Sequence, residues 1–163
     1  MKRKLTYLLL LALMLLPAAC EEKEMPDYEY TANDITVLVP GGWQAAYQEA
    51  QRQITIQAPK EEYALGIQIL ESGDITSEEV ARAMSEQLNG ETPEPAARYT
   101  EYAFNCSIME LPALVNILSK DGYTLVLIEV GDNGKFAEQT DAIMKSMKSS
   151  NPAYQNVIEA IKF

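Results

Sequence analysis

The sequence predicts an α+β domain built as an α/β/α sandwich, an antiparallel-rich sheet flanked by helices on both faces. Three observations carry that reading. Residues 113–119, ALVNILS, and 123–130, YTLVLIEV, are apolar runs joined through Lys120-Asp121-Gly122, a strong hairpin signal. The second run is apolar almost throughout, so both of its faces must be covered. Amphipathic helical patterns at 76–90 and 135–148 supply material for the two covers.

The elements follow in order. Met1-Lys2-Arg3-Lys4 is a positive segment, Leu5 to Leu16 is mostly apolar, and small residues stand at Ala18 and Ala19, the layout of a secretory signal over 1–19. As a helix the apolar run would reach ~18 Å, short of the ~30 Å hydrocarbon core. EEKEMPD at 21–27 is polar and has nothing to bury, and residues 20–32 read as a lipidated amino terminus and tether leading to a single domain over 33–163, whose first strand starts near Tyr28 or Ile35. ITVLVP at 35–40 is a strand stopped by proline and the Gly41-Gly42 pair. QITIQAP and ALGIQIL form a hairpin across PKEEY.

TSEEVARAMSEQLNG opens with Thr76 and Glu79 spaced as a capping box, places Val80, Met84 and Leu88 on one face, and closes at Asn89-Gly90. RYTEYAF, continued by CSIMEL, reads as strand, with Pro112 an interruption or an edge. From Lys135 to Lys148, Phe136, Thr140, Ile143, Met144 and Met147 trace a helical face. Asn151 as N-cap and Pro152 at the first position start a last short helix with Tyr154, Val157, Ile158 and Ile161 on one side.

Charge and residue inventory exclude several chemistries. The 163 residues hold 13 basic and 24 acidic side chains, and three of the basic ones lie in the signal, so the mature chain is more acidic than the formal −11 of the whole. Such a charge repels phosphate backbones, and no basic patch offsets it, which argues against nucleic acid as a partner. There is no histidine. Catalytic triads built on His and His-containing metal sites are therefore absent, and no cofactor or metal is expected. Besides Cys20 there is only Cys106, read as a small core hydrophobe. Asp132-Asn133-Gly134 lacks the alternate ligands of a calcium loop and reads as a turn.

Carboxylates remain, with Glu110 and Glu129 the ones whose apolar neighbours would bury them and raise their pKa. Trp43 has two readings: a seal at the end of the sheet, or, with Gly41, Gly42 and Tyr47, part of a binding surface.

Two resemblances add to this. Leu16-Pro17-Ala18-Ala19-Cys20 resembles the lipobox of bacterial lipoproteins, with Pro17 where the family usually has Leu. It implies cleavage before Cys20 and acylation of its thiol; the other reading is an ordinary signal cut after Ala19. Acyl chains at ~0.8 kcal/mol per buried methylene would hold the protein to a membrane without a span. Glu21, where an inner-membrane retention signal of some bacteria has Asp, points to the outer membrane, facing the periplasm, where there is one.

Secondly, the order of elements, with VPGGW near the domain start, the helix beginning TSEE, and a last hairpin followed by a helix running into MKSMKS, resembles the PsbP-like fold over roughly residues 33–149. That superfamily includes PsbP of photosystem II, the Mog-type Ran-binding protein and DcrB-like lipoproteins. The resemblance implies an envelope-attached protein without established catalysis and carries over no catalytic residue. The expected function is a lipid-anchored, non-catalytic interaction module of the bacterial envelope with an envelope protein as partner. The alternative is a small-ligand-binding lipoprotein with a pocket near Trp43, and a carboxylate-dependent hydrolase stands third.

Overall fold

The computed structural model describes residues 25–163. The fold is α+β, as the sequence predicts, but among the described residues the strands form two antiparallel sheets where one was expected, with three α-helices. Strands β1 (Tyr28–Ala32) and β2 (Ile35–Val39) pair with the two-residue β10 (Lys148–Ser149) in a small sheet ordered β1-β2-β10. The main sheet contains β3 (Gln44–Gln48), β4 (Gln53–Gln57), β5 (Tyr63–Glu71), β6 (Glu94–Pro95), β7 (Tyr102–Ile108), β8 (Leu111–Lys120) and β9 (Tyr123–Gly131). Its order is β3-β4-β5-β9-β8-β7-β6, which places β9 at the centre.

Alternation along β9 sorts the two cores. Leu125 and Leu127 join the larger cluster, shared with α2 (Ala137–Ser146), α3 (Pro152–Ile158) and the small sheet. Val126, Ile128 and Val130 join the smaller cluster, beneath α1 (Ser77–Leu88). Both faces of YTLVLIEV are thus covered, because period-2 alternation sends apolar side chains to opposite layers. No helix among the described residues is long and apolar enough to cross a membrane.

Local chemistry explains the element ends. The Thr76 side chain accepts from the Glu79 backbone while the Glu79 carboxylate accepts from the Thr76 backbone, which closes the capping box. Asn89 adopts the left-handed conformation that ends α1. Asn151 accepts from the Ala153 backbone and Pro152 opens α3. Asp121 and Gly122, both at positive φ, make the two-residue turn between β8 and β9. Gly131 has φ 102°, and a Cβ there would lie 2.3 Å from the Glu62 carbonyl oxygen, so only glycine fits the crossing with β5.

Several boundaries differ from expectation. The chain enters the small sheet at Tyr28, the earlier of the two starts, Tyr28 or Ile35, that the sequence offers, so residues 28–32 of the 20–32 tether are strand. Tyr30 and Ala32 pack on the larger core while Tyr28 and Glu29 stay exposed, a half-buried pattern on a polar sequence. The Met25 backbone also lies against Gly41, where a Cβ would sit 1.6 Å from the Met25 carbonyl oxygen. On α1 the buried residues are Ser77, Ala81, Met84 and Ser85, with Val80 and Leu88 at the sides, since the helix faces the sheet one residue round from the expected stripe.

RYTE precedes β7 and does not join it. The chain turns at Met109-Glu110, and Pro112 lies in β8 one residue before its pairing with β9 begins at Ala113, where that side of the strand is locally an edge. Its missing N–H therefore removes no bond to β9.

The outer edges of the main sheet are partly covered. The Tyr28 hydroxyl donates to the Trp43 carbonyl at 3.2 Å and accepts from the Ala45 N–H at 3.1 Å, capping the open side of β3. The other edge, β6, is two residues long and contains Pro95.

Candidate functional site

The main sheet's larger-core face has a polar end. Register places Leu114 opposite Glu129, Asn105 opposite Leu114, and Asn116 opposite Leu127, so Glu129, Asn116 and Asn105 all project to the face that Leu127 occupies. Over them lies a cavity of about 560 Å³, walled by segment 91–99 and the start of α2. Its polar lining includes Glu91, Glu94, Arg98, Asn105, Asn116 and Glu129, beside Thr92, Tyr99 and Asn133.

Glu129 is 6% exposed and Asn116 3%. The Tyr63 hydroxyl donates to Glu129 Oε2 at 3.1 Å and lies 2.8 Å from Thr140 Oγ1, which ties the carboxyl to β5 and α2. Asn116 Nδ2 donates to Glu129 Oε1 at 3.3 Å, and the Thr100 hydroxyl donates to Asn116 Oδ1 at 3.4 Å. Each carboxyl oxygen thus has one neutral donor, and no ion pair to Glu129 occurs among the described residues.

Burial pushes the Glu129 pKa up, against the pull of the Tyr63 hydrogen bond and the positive charge of Arg98. The Tyr63 hydroxyl is raised as well, by its own burial and by the adjacent carboxylate. The expectation that Glu129 is buried with a raised pKa is met; Glu110 instead stands exposed in the β7–β8 turn.

Arg98 is already engaged. Its guanidinium pairs with Asp141 Oδ1 at 2.8 Å and sits 4.5 Å from the Tyr99 ring centroid. The Tyr99 hydroxyl also donates to Asp141, and the Tyr99 backbone bridges to Lys162. Segment 98–99 is thereby stitched to α2 and to the carboxyl-terminal residues. Glu91 accepts from Asn105 Nδ2 at 2.9 Å, and Glu94 pairs in register with Ala103 on the outer strand. Glu94 and Glu129 share a face of the sheet but lie three strand spacings apart, ~14 Å between their strands.

The other expected site residues are dispersed. Cys20 lies outside the described residues. Trp43 is 7% exposed, its ring edge-on to Tyr63 at 5.9 Å and Phe136 at 5.4 Å between centroids, so it seals the core. Gly41 is covered by the Met25 backbone, and Tyr47 is half-buried against the larger core. Gly42 lines a recess of about 300 Å³ shared with Gln44, Gln57 and Pro59. Of the expected surface Gly41, Gly42, Trp43 and Tyr47, Trp43 turns inward.

Cys106 is half-buried against the smaller core, and burial raises its thiol pKa. Asp132 accepts from the Lys135 backbone at 3.1 Å, the turn expected of Asp132-Asn133-Gly134. Sequence reasoning missed Arg98, Asn116 and Asp141; Asn116 alone had a visible signal, as an amide inside the apolar run ALVNILS.

No family model and no curated sequence matches the chain. Solved structures do. The Ran-binding protein Mog1p of Saccharomyces cerevisiae is similar at TM-score 0.50 and 11% identity, covering 79% of this chain and 98% of that one. A protein of Bacteroides thetaiotaomicron is similar at TM-score 0.50 and 8% identity; the match covers 80% of this chain and spans 50% of that protein. The cyanobacterial PsbP of Synechocystis matches at TM-score 0.48 and 11% identity, over 81% of this chain and 98% of that one. The likeness to Mog1p bears out the expected PsbP-like, Mog-type fold, and at these identities it speaks for the fold alone.

Proposed function

We propose that the protein is a lipid-anchored, non-catalytic component of the bacterial cell envelope that binds a partner at the Glu129 cavity. The observation that carries the binding reading is a 560 Å³ cavity whose floor is a carboxyl held only by neutral donors. Burying such a group costs free energy that an apolar residue at the same strand position would avoid, so a role in recognition accounts for its presence. The polar groups around it are hydrogen-bond donors and acceptors on strands, a rigid scaffold for recognition.

Anchoring rests on the lipobox-like Leu16-Pro17-Ala18-Ala19-Cys20 and on chain length. From Cys20 to Met25 an extended chain reaches at most ~18 Å. Because Met25 rests on Gly41, an acyl group on Cys20 would hold the Gly41-Gly42 end of the main sheet close to the bilayer. The outer membrane, facing the periplasm, is the favoured address. In this reading residues 1–19 are removed and one domain follows a tether that ends before Tyr28.

A photo-reactive residue placed in cells at Asn105, on the cavity wall, tests the reading against the same residue at Glu86, on the exposed side of α1. A discrete crosslinked product from position 105 alone, in the membrane fraction, is expected. Equal products from both positions, or none from 105, would retire it. A small-ligand-binding lipoprotein is the second reading, favoured by a cavity volume within the ~300–1,000 Å³ usual for small-molecule sites. The ligand site then lies at Glu129, away from Trp43.

A further inference from the structure

The Glu129 cavity has an imbalance of charge that selects among occupants. Three of its lining residues are acidic, Glu91, Glu94 and Glu129, and its one basic lining residue, Arg98, is paired with Asp141. Glu91 and Glu94 are exposed at the mouth, and Glu129 lies at the floor. An anion entering would meet three carboxyls and a guanidinium already neutralised. A cation entering would move from exposed carboxyls toward a buried one, where the lower dielectric strengthens the attraction.

The floor is also incompletely used. A carboxylate offers about four acceptor sites on its two oxygens, and the Tyr63 and Asn116 donors fill one on each. The remaining sites accept further donors, and Ala97, Ala103, Leu114 and Ala137 give the cavity small or apolar wall segments among its polar ones. A compact group with several donors and a full positive charge suits that space.

We propose that the cavity binds a primary ammonium group on an aliphatic stem, with the ammonium seated on Glu129 and the stem along Leu114 and the alanines. The ammonium supplies the counter-charge that the buried carboxyl lacks, and a second cationic group on the same molecule meets Glu91 or Glu94 at the mouth. This rests on the cavity being a binding site and is independent of the anchor at Cys20. The group comes either from a free di- or polyamine or from a lysine side chain of a protein partner. Both present the same chemistry to Glu129.

The test is calorimetric titration of the full chain in detergent at physiological salt with putrescine, spermidine, a lysine-centred tripeptide with blocked ends, and 1,4-butanediol. Saturable binding of at least one amine, no binding of the diol, and an Asn116 side-chain amide signal that shifts in NMR are expected. Glu129→Gln should weaken binding at least tenfold while its far-UV spectrum stays native, and Glu94→Gln should weaken it less than threefold. Tighter binding of the tripeptide assigns the ammonium to a partner's lysine; tighter binding of spermidine assigns it to a free polyamine. Equal binding by Glu129→Gln, equal binding of the diol, or no amine binding at millimolar concentration would overturn the proposal. Crosslinking from Asn105 that persists after such a failure leaves the partner reading standing, and its loss with amine binding intact retires that reading alone.

Discussion

Replacing Trp43 by alanine should remove a large share of the fold's stability. The ring is 7% exposed and sits edge-on to Tyr63 and Phe136, which belong to β5 and to the residue capping α2. Truncating a buried Trp costs ~3–5 kcal/mol. Loss of two edge-to-face contacts, at ~0.5–1.5 kcal/mol each beyond area burial, places the expectation in the upper half of that range. Tyr63 is also fixed by hydrogen bonds to Glu129 and Thr140, so the cavity left behind collapses poorly. A domain of this size has ~5–15 kcal/mol in all, and a loss of ~4–5 kcal/mol makes the variant marginal.

Trp43→Phe, which keeps most of the apolar volume, should lose only ~1–2 kcal/mol. Urea unfolding followed by far-UV circular dichroism is the assay, because Trp43 is the chain's single tryptophan and its fluorescence vanishes with the substitution. A loss below ~1 kcal/mol for Trp43→Ala would refute the reasoning, because it would put the ring at the surface, as in the binding-surface reading of Trp43.

Other perturbations have definite directions. Burial raises the Glu129 pKa in the folded state, so its contribution to stability is fully present below the unfolded value and is lost as pH rises through the folded one. The charged and titratable groups around it are Tyr63, Arg98 and Asp141, and Glu129→Gln should therefore gain stability relative to the native chain between pH 4 and pH 8, measured by urea midpoints; a flat difference contradicts the assignment. Gly131→Ala should destabilise by more than ~1 kcal/mol, because its Cβ meets the Glu62 carbonyl at 2.3 Å in a positive-φ conformation; thermal melting checks it. Thr76→Ala opens the capping box of α1 and should cost ~1 kcal/mol in the same assay.

How much of this was legible depends on the range of the interactions involved. Local rules recovered the α1 capping box, the Asn151-Pro152 start of α3 and the Asp121-Gly122 hairpin, since each is set by residues within a few positions of one another. Strand β1 escaped because it is half-exposed and polar, and its neighbour β2 takes its other partner, the two-residue β10, from the far end of the chain. Trp43 could be read as core or surface until Phe136, from the start of α2, was seen to close over it.

At the candidate site the same division holds. Glu129 was visible as a carboxylate in an apolar run, and the hairpin register alone brings Asn116 beside it. Arg98 and Asp141 were not visible as a pair, because they lie on separate elements and only the folding of segment 91–99 against α2 joins them. The charge balance of the cavity was illegible for that reason.

The central claim, a binding domain held at the envelope by its amino terminus, is tested most directly by the mass of the amino-terminal peptide of the protein recovered from cell membranes. The account predicts a peptide that begins at Cys20, carries a thioether-linked diacylglycerol, and disappears from the membrane fraction in Cys20→Ala. An unmodified peptide, or one that retains residues before Cys20, would contradict it.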